Sequence, residues 1–301
     1  MYQTGIFEPI PAHGRYLGLA RQPSADRADV RALLQALAAE VDGRQIVLGL
    51  GAGLVTHLAG ADAVPGLHDF HAPADSRVAL PETRFDLWLW LRGEDPAALL
   101  WQADALRERL APAFVVVEDL AAFRHGDGRD LTGYEDGTEN PVGEAALAAA
   151  FVDHQGPGLD GASLLALQRW QHDLSAFRAM TPARRDLAIG RRLVDNEEIE
   201  DAPATAHVKR TAQEDFDPEA FVLRRSMPWL DGAAGGLYFT AFARSLDAFE
   251  AQLARMSGAE DGEVDALFTF SHPLTGATLW CPPMHDGRID LRALSPDRPP
   301  R

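Results

Sequence analysis

Leu87-Trp88-Leu89-Trp90-Leu91-Arg92 reads as a buried strand that ends on a charge and leads into a helical pattern. The chain repeats this arrangement in Leu237-Tyr238-Phe239-Thr240-Ala241-Phe242-Ala243-Arg244, ahead of a second helical pattern from Leu246 to Met256. Working outward from the first copy, Arg15 to Ala20 reads as a strand. Ser24 is the expected N-cap of a helix whose apolar positions are Val30, Leu33, Leu34 and Leu37, running to Val41. Strands at Gln45 to Leu50 and Phe85 to Leu91 follow, then a helix with Leu99, Leu100, Leu106 and Leu110, then a strand at Phe114 to Val117. This order is β-α-β-β-α-β, the ferredoxin-like unit. From the second copy outward, strands are expected at Ser163 to Gln171, Phe221 to Met227 and Leu237 to Ala243. A helix interrupted near Pro182 spans Leu174 to Gly190, and a last strand lies near Leu267 to Phe270. The fold class predicted is α+β: two ferredoxin-like units with antiparallel sheets, produced by duplication and divided as 1–143 and 144–301.

Composition narrows the function. The 301 residues are 46% hydrophobic and 24% charged, enough for one large core or two smaller ones. A formal net charge of −17 would be repelled by a phosphate backbone, so no nucleic-acid partner is expected. Even the richest apolar runs are interrupted by charge, and no membrane span is expected. The start Met1-Tyr2-Gln3-Thr4-Gly5 lacks a basic region before an apolar one, which suggests a cytoplasmic protein. The single cysteine, Cys281, excludes an internal disulfide, a Cys-rich metal site and a Cys-x-x-Cys-His attachment.

Two polar segments are long enough to carry function: the Gly- and Asp-rich stretch from Arg124 to Gly143, and an insert from Asp195 to Thr211. The first contains Gly133-Tyr134-Glu135-Asp136-Gly137-Thr138-Glu139-Asn140-Pro141. There two glycines bracket an aspartate where backbone can approach a ligand, although an Asp-Gly turn alone would look the same. The second contains Ala206-His207-Val208-Lys209-Arg210, whose histidine is either a metal ligand or a surface residue. A third segment, Leu223-Arg224-Arg225-Ser226-Met227-Pro228, sets two arginines inside a strand pattern, which is a solvated edge unless an anion is buried with them. Gly49-Leu50-Gly51-Ala52-Gly53 lacks the third glycine of a dinucleotide loop, since Leu54 stands there.

Taken together, these segments resemble the dye-decolourising peroxidases, especially the short bacterial members similar to the porphyrinogen-peroxidase branch. The family pattern is Gly-x-x-Asp-Gly, a proximal histidine about 70 residues later, and Arg-x-[Asn/Ser]-x-Pro some 17 beyond it. Asp136, His207 and Arg224 with Ser226 match it at spacings of 71 and 17 residues. The likeness runs from Gln3-Thr4-Gly5-Ile6 through Ser163 to Leu174 and on to Pro273-Leu274-Thr275-Gly276. One departure is Cys281 before Pro282, where similar proteins usually carry aromatic residues.

The resemblance implies a pair of ferredoxin-like units with non-covalent haem b in the second. It also implies use of hydrogen peroxide to oxidise an organic reductant (dyes, phenols or porphyrinogens) through a ferryl intermediate. His207 would be the proximal iron ligand, Asp136 the acid–base group and Arg224 the stabiliser of developing negative charge. Asp265 matches best as the carboxylate that orients His207, with Asp261 second. Arg210 would meet a haem propionate or face solvent, and Ser226 would complete the arginine motif. A homo-oligomer is expected. Enclosure in a protein shell finds no support in the ending Ser295-Pro296-Asp297-Arg298-Pro299-Pro300-Arg301, which reads as a disordered end. Two rival readings stay open: a haem carrier with incidental peroxidase activity, and a haem-free interaction module.

Overall fold

The computed structural model describes residues 1–295, and the remainder of the proline-rich ending lies outside the described residues. A short helical turn, α1 (Thr4–Phe7), precedes β1 (His13–Arg21), α2 (Arg27–Glu40), β2 (Ile46–Gly51), α3 (Ala52–Ala59), β3 (Leu87–Gly93), α4 (Pro96–Leu110) and β4 (Phe114–Phe123). After α5 (Gly143–Ala150) come β5 (Ser163–His172), α6 (Leu174–Ala179), α7 (Pro182–Ile189) and α8 (His207–Arg210). Then follow β6 (Leu223–Arg224), β7 (Met227–Asp231), β8 (Ala234–Ala243), α9 (Asp247–Met256), β9 (Ser271–Pro273), β10 (Ala277–Cys281), and a small hairpin of β11 (Met284–His285) and β12 (Arg288–Ile289).

Both halves have the ferredoxin-like strand order. The first runs β4-β1-β3-β2, and the second, read from its other end, runs β10-β5-β8-β7 with the same sequence of positions. Antiparallel seams between β4 and β7 and between β2 and β10 join the halves. Because β8 also pairs with β5, eight strands close into a ring, with β6 and β9 attached at its margins. Closure removes the free edges that each half would present alone.

Alternation along each strand sorts residues between two cores. Leu17, Leu19, Leu87, Leu89 and Leu91 face outward to the helices α2 and α4, while Tyr16, Trp88, Trp90, Tyr238 and Phe242 fill the inside of the ring. β1 accommodates this bulk with a glycine: a Cβ on Gly18 would lie 2.5 Å from the ring of Phe85. The two Trp residues of the opening motif are therefore interior, and the three Leu that alternate with them are exterior.

Several local expectations are corrected. The cap of α2 is Asp26, whose carboxylate accepts from the Asp29 N–H at 2.8 Å, two residues beyond Ser24. The strand expected at Phe221 to Met227 is interrupted at Arg225 and Ser226, although β6 and β7 keep one register along β8, with Leu223 opposite Phe242 and Met227 opposite Tyr238, and the Arg225 N–H donates to the Thr240 carbonyl at 2.9 Å. Leu267 to Phe270 is not a strand; Asp265 caps a 3-10 turn at Ala266–Thr269, which lets Phe268 and Phe270 tilt against Trp170 and Phe177. The closing strand is β10, ten residues later, held by β5 and β2. Ala52–Ala59 forms a helix that the glycine-rich Gly49 to Gly53 concealed.

Candidate active site

The outward face of the second half's sheet floors a cavity. Register places its residues. Arg224 on β6 lies opposite Ala241 on β8, which lies opposite Ala166 on β5; Phe239 faces Gln168, Leu237 faces Trp170, and His172 meets Ser271 on β9. The opposing wall is α9, which supplies Phe249, Leu253 and Met256, together with His207 at the start of α8. The Arg124 to Gly143 segment closes one side with Asp130, Tyr134 and Asp136.

His207 is oriented from behind. Its Nδ1 lies 2.7 Å from Asp265 Oδ2, and the other Asp265 oxygen accepts from the Leu267 N–H at 2.8 Å. The Asp265 side chain is wholly buried, so the pair forces the Nδ1–H tautomer and leaves Nε2 without a protein partner among the described residues. Asp261, the second candidate for this role, instead pairs with Arg210. Arg210 donates to Asp261 through Nη1 at 2.7 Å and Nη2 at 2.8 Å, and this holds the Asp261 carboxyl down at about 2. Arg210 is buried in that pair and does not line the cavity.

On the floor, Arg224 Nη1 lies 3.6 Å from Asp136 Oδ1, with both side chains mostly buried. Asp136 reaches this point because Gly137 turns the chain with a φ of 76°. Asn140, three residues on, grips β6: its Oδ1 accepts from the Arg224 N–H at 2.7 Å and its Nδ2 donates to the Arg224 carbonyl at 3.1 Å. Arg225 lies on the opposite face and donates to the carbonyls of Ile6 (3.0 Å) and Phe7 (2.8 Å); burial pushes its pKa down to about 10. Ser226 is buried outside the lining, and its Oγ finds no hydrogen-bond partner among the described residues.

Sequence reasoning missed three members of the site. His172 pairs through Nε2 with Asp130 at 2.9 Å and through Nδ1 with Ser271 Oγ at 2.7 Å. Gln168 accepts from the Trp170 indole N–H at 3.3 Å, and since indole only donates, the amide NH2 must point away, where it has no acceptor among the described residues. Asn140 is the third. The available signal was Gln168, Trp170 and His172 alternating along β5, which puts polar groups on one face of an otherwise apolar strand.

Among the described residues no group of three or more His, Cys, Asp and Glu could hold a metal ion. One free imidazole nitrogen beside a cavity with apolar walls and an orphaned buried amide donor suits a planar macrocycle that brings its own metal ligands. These residues fit haem.

A family model described as "Dyp-type peroxidase, C-terminal" matches residues 127–286. The dye-decolorizing peroxidase of Mycolicibacterium paratuberculosis is 32% identical over 222 residues, covering 72% of this chain and 63% of that protein. This chain therefore spans under two thirds of that relative. The namesake in Rhodococcus erythropolis is 29% identical over 91% of this chain and 81% of its own. Among solved structures, a dye-decolorizing protein from Vibrio cholerae superposes with a TM-score of 0.82 at 28% identity, covering 93% of this chain and 96% of that one. A variant of DypB from Rhodococcus jostii RHA1 in complex with heme does so at 0.80 and 26% identity, over 91% and 94%.

Proposed function

The chain belongs to the dye-decolourising peroxidase family, and from that membership we propose that it is a haem peroxidase using hydrogen peroxide to oxidise an organic reductant. One observation carries the reading. A histidine backed by a buried carboxylate stands on one wall of the cavity, and a carboxylate with a guanidinium stands on another part of its lining.

When bound, haem supplies the redox-active iron at which peroxide is cleaved. His207 would hold it through Nε2. Asp265, accepting the Nδ1–H, makes that nitrogen more electron-donating, which favours O–O cleavage. Asp136 would take the proton from the peroxide oxygen nearer the iron and return it to the departing one. A carboxylate does this in mild acid, where a histidine in the same place would be protonated. Arg224, fixed by Asn140 and by its strand, is positioned to stabilise negative charge on the leaving oxygen without reorganising. Gln168 would donate to an acceptor oxygen of the bound molecule. The haem would be non-covalent haem b, since Cys281 is buried inside the ring. Dyes, phenols and porphyrinogens are the proposed reductants, residues 1–143 and 144–301 the two units, and a homo-oligomer the assembly.

The Asp136–Arg224 pair favours an enzyme over a carrier, because storage of haem needs no proton-transfer group next to a fixed cation. Reconstitution with haemin tests this. A Soret band with peroxide-dependent oxidation of a phenol far above that of free haemin is expected; turnover no better than free haemin would mark a carrier.

A further inference from the structure

α8 carries His207 on a single turn of four residues, and the N-terminus of that turn has no side-chain cap. A helix of this length has too few hydrogen bonds to hold its own geometry, so its orientation must come from outside. Three links tie it to the end of α9 and the stretch that follows. The Ala266 N–H donates to the Thr205 carbonyl at 2.7 Å and fixes the chain just before the turn. Asp265 accepts from His207 at the start of the turn. Arg210, at its end, forks onto both carboxylate oxygens of Asp261 and also donates to the Arg255 carbonyl. Lys209, between them, makes an exposed pair with Glu198, which contributes little.

The two carboxylates belong to one folded piece. Ser257 and Val264 form an antiparallel bridge, and the Asp265 N–H donates to the Met256 carbonyl at 2.9 Å. Asp265 therefore stands at the base of a short hairpin-like loop and Asp261 in its bend, between Gly258 and Gly262 with φ of 74° and 87°. His207 and Arg210 are three residues apart, on one face of the turn. Two rungs thus join turn to loop, His207–Asp265 as the inner and Arg210–Asp261 as the outer. Arg210 is 4% exposed, and its Nε–H finds no partner among the described residues. An apolar side chain would fill the same space without that cost. It would not supply direction, which a planar fork on a carboxylate does by fixing distance and angle together.

We propose that Arg210 and Asp261 are positioning residues for His207: the outer rung stops the α8 turn from rolling and so sets the direction in which Nε2 points. The inference rests on the reading of His207 as the iron ligand for its consequence in the loaded protein, while the coupling of the two rungs belongs to the chain alone. Neither Arg210 nor Asp261 lines the cavity, so their effect passes through His207. With the outer rung broken, the turn rolls about the Thr205–Ala266 link and the His207–Asp265 bond lengthens. The imidazole then loses its fixed tautomer and its aim, and Nε2 becomes a poorer electron donor.

The test uses Asp261→Asn, which keeps the shape of the side chain and cannot accept both arms of the fork, and Arg210→Lys, which keeps the charge and has no fork. Asp119→Asn, which weakens the ion pairs with Arg15 and Arg107 in the first half, is the control for stability lost elsewhere. In haem-loaded ferrous protein, resonance Raman reads the iron–histidine stretch and transfer to apomyoglobin reads haem loss. Both outer-rung variants should lower the stretching frequency and lose haem about tenfold faster, at the low end of what removing an orienting partner costs. Asp119→Asn should do neither. In cofactor-free protein at alkaline pH, long-range proton–nitrogen NMR reads the His207 tautomer, which should be Nδ1–H in wild type and gain the Nε2–H form in both outer-rung variants. Where wild type binds haem, the stretch decides: an unshifted frequency in Asp261→Asn, a wild-type frequency in Arg210→Lys, or an equal shift in Asp119→Asn overturns the proposal. Where wild type binds no haem, the tautomer decides. A changed tautomer then upholds the coupling and places the failure in the peroxidase reading, and an unchanged one refutes the coupling itself. Asp261 is partly exposed, so its variant is expected to fold; if it does not, Arg210→Lys decides by the same readouts.

Discussion

At the scale of single residues, the two nitrogens of His207 have separate tasks. Nδ1 is committed to Asp265, so everything His207 offers a ligand passes through Nε2. His207→Ala should therefore lose most haem binding while the far-ultraviolet spectrum stays native, because α8 is a short surface turn and neither core loses a side chain. Full haem retention with an unchanged Soret spectrum would move the ligand elsewhere. Arg224 and Arg225 make a sharper comparison, since adjacent strand residues point to opposite faces. Loss of a fixed charge stabiliser costs ~2.7–4 kcal/mol, or roughly 10²–10³ in rate, and Arg224→Leu should slow the first reaction with peroxide by that much. Arg225→Leu should barely alter that rate. Its cost should appear in stability, because Arg225 ties β6 to the carbonyls of Ile6 and Phe7. Stopped-flow mixing with peroxide decides between them, and a larger defect in Arg225→Leu would mean that the arginine roles are reversed.

Elements matter through how they hold these groups. Arg224 lies near the outer end of the ladder that β6 and β7 form along β8, and Asn140 supplies a second grip through both of its amide atoms. Asn140→Ala removes both bonds and leaves buried backbone groups unpaired, at a cost of about 1–3 kcal/mol. We expect slower reaction with peroxide, unchanged haem affinity and an earlier denaturant midpoint; an unaltered peroxide rate would show that the ladder suffices. The motif Asp136-Gly137-x-x-Asn140 thus carries both a proposed proton-transfer group and the clamp for its partner. Asn140 was visible in the sequence only as the first residue of an Asn-Pro turn, because its bonding partner is 84 residues away.

On the scale of the whole molecule, ring closure ties the halves together. Neither half can lose its strands without opening the seams at β4–β7 and β2–β10, so unfolding followed by tryptophan fluorescence and by circular dichroism should give one coincident transition. Two separated transitions would mean that the halves are independent. The acid limb of stability has an identifiable contributor in Asp130. Burial alone would raise its pKa, but the His172 hydrogen bond and charge together with the Thr132 bonds outweigh burial and leave it lowered. A carboxyl depressed in the folded state stabilises above its unfolded pKa of ~3.9 and loses that contribution as pH falls through the folded value. The stability gap between wild type and Asp130→Asn should accordingly narrow in urea titrations taken from pH 5 toward pH 2. A gap constant across that range would remove Asp130 from the acid limb.

The alternation of Leu87 to Arg92 and its echo at Leu237 to Arg244 were enough to establish strand type, duplication and the antiparallel α+β class, because a period of two is a local property of the backbone. The spacing of Asp136, His207 and Arg224 likewise marked the family, since motif residues are read one by one along the chain. Closure of the two sheets into one ring was not legible: the seams rest on a few pairs, such as Ala122 with Trp229 and Trp280 with Leu50, between strands far apart in sequence. The same holds for His172 with Asp130 beside the cavity and Tyr238 with Glu118 inside the ring. Each needs a polar atom brought to hydrogen-bond distance of another by the packing of strands and loops. Local sequence determines which face a side chain leaves from, and only the closed tertiary structure determines what it meets there.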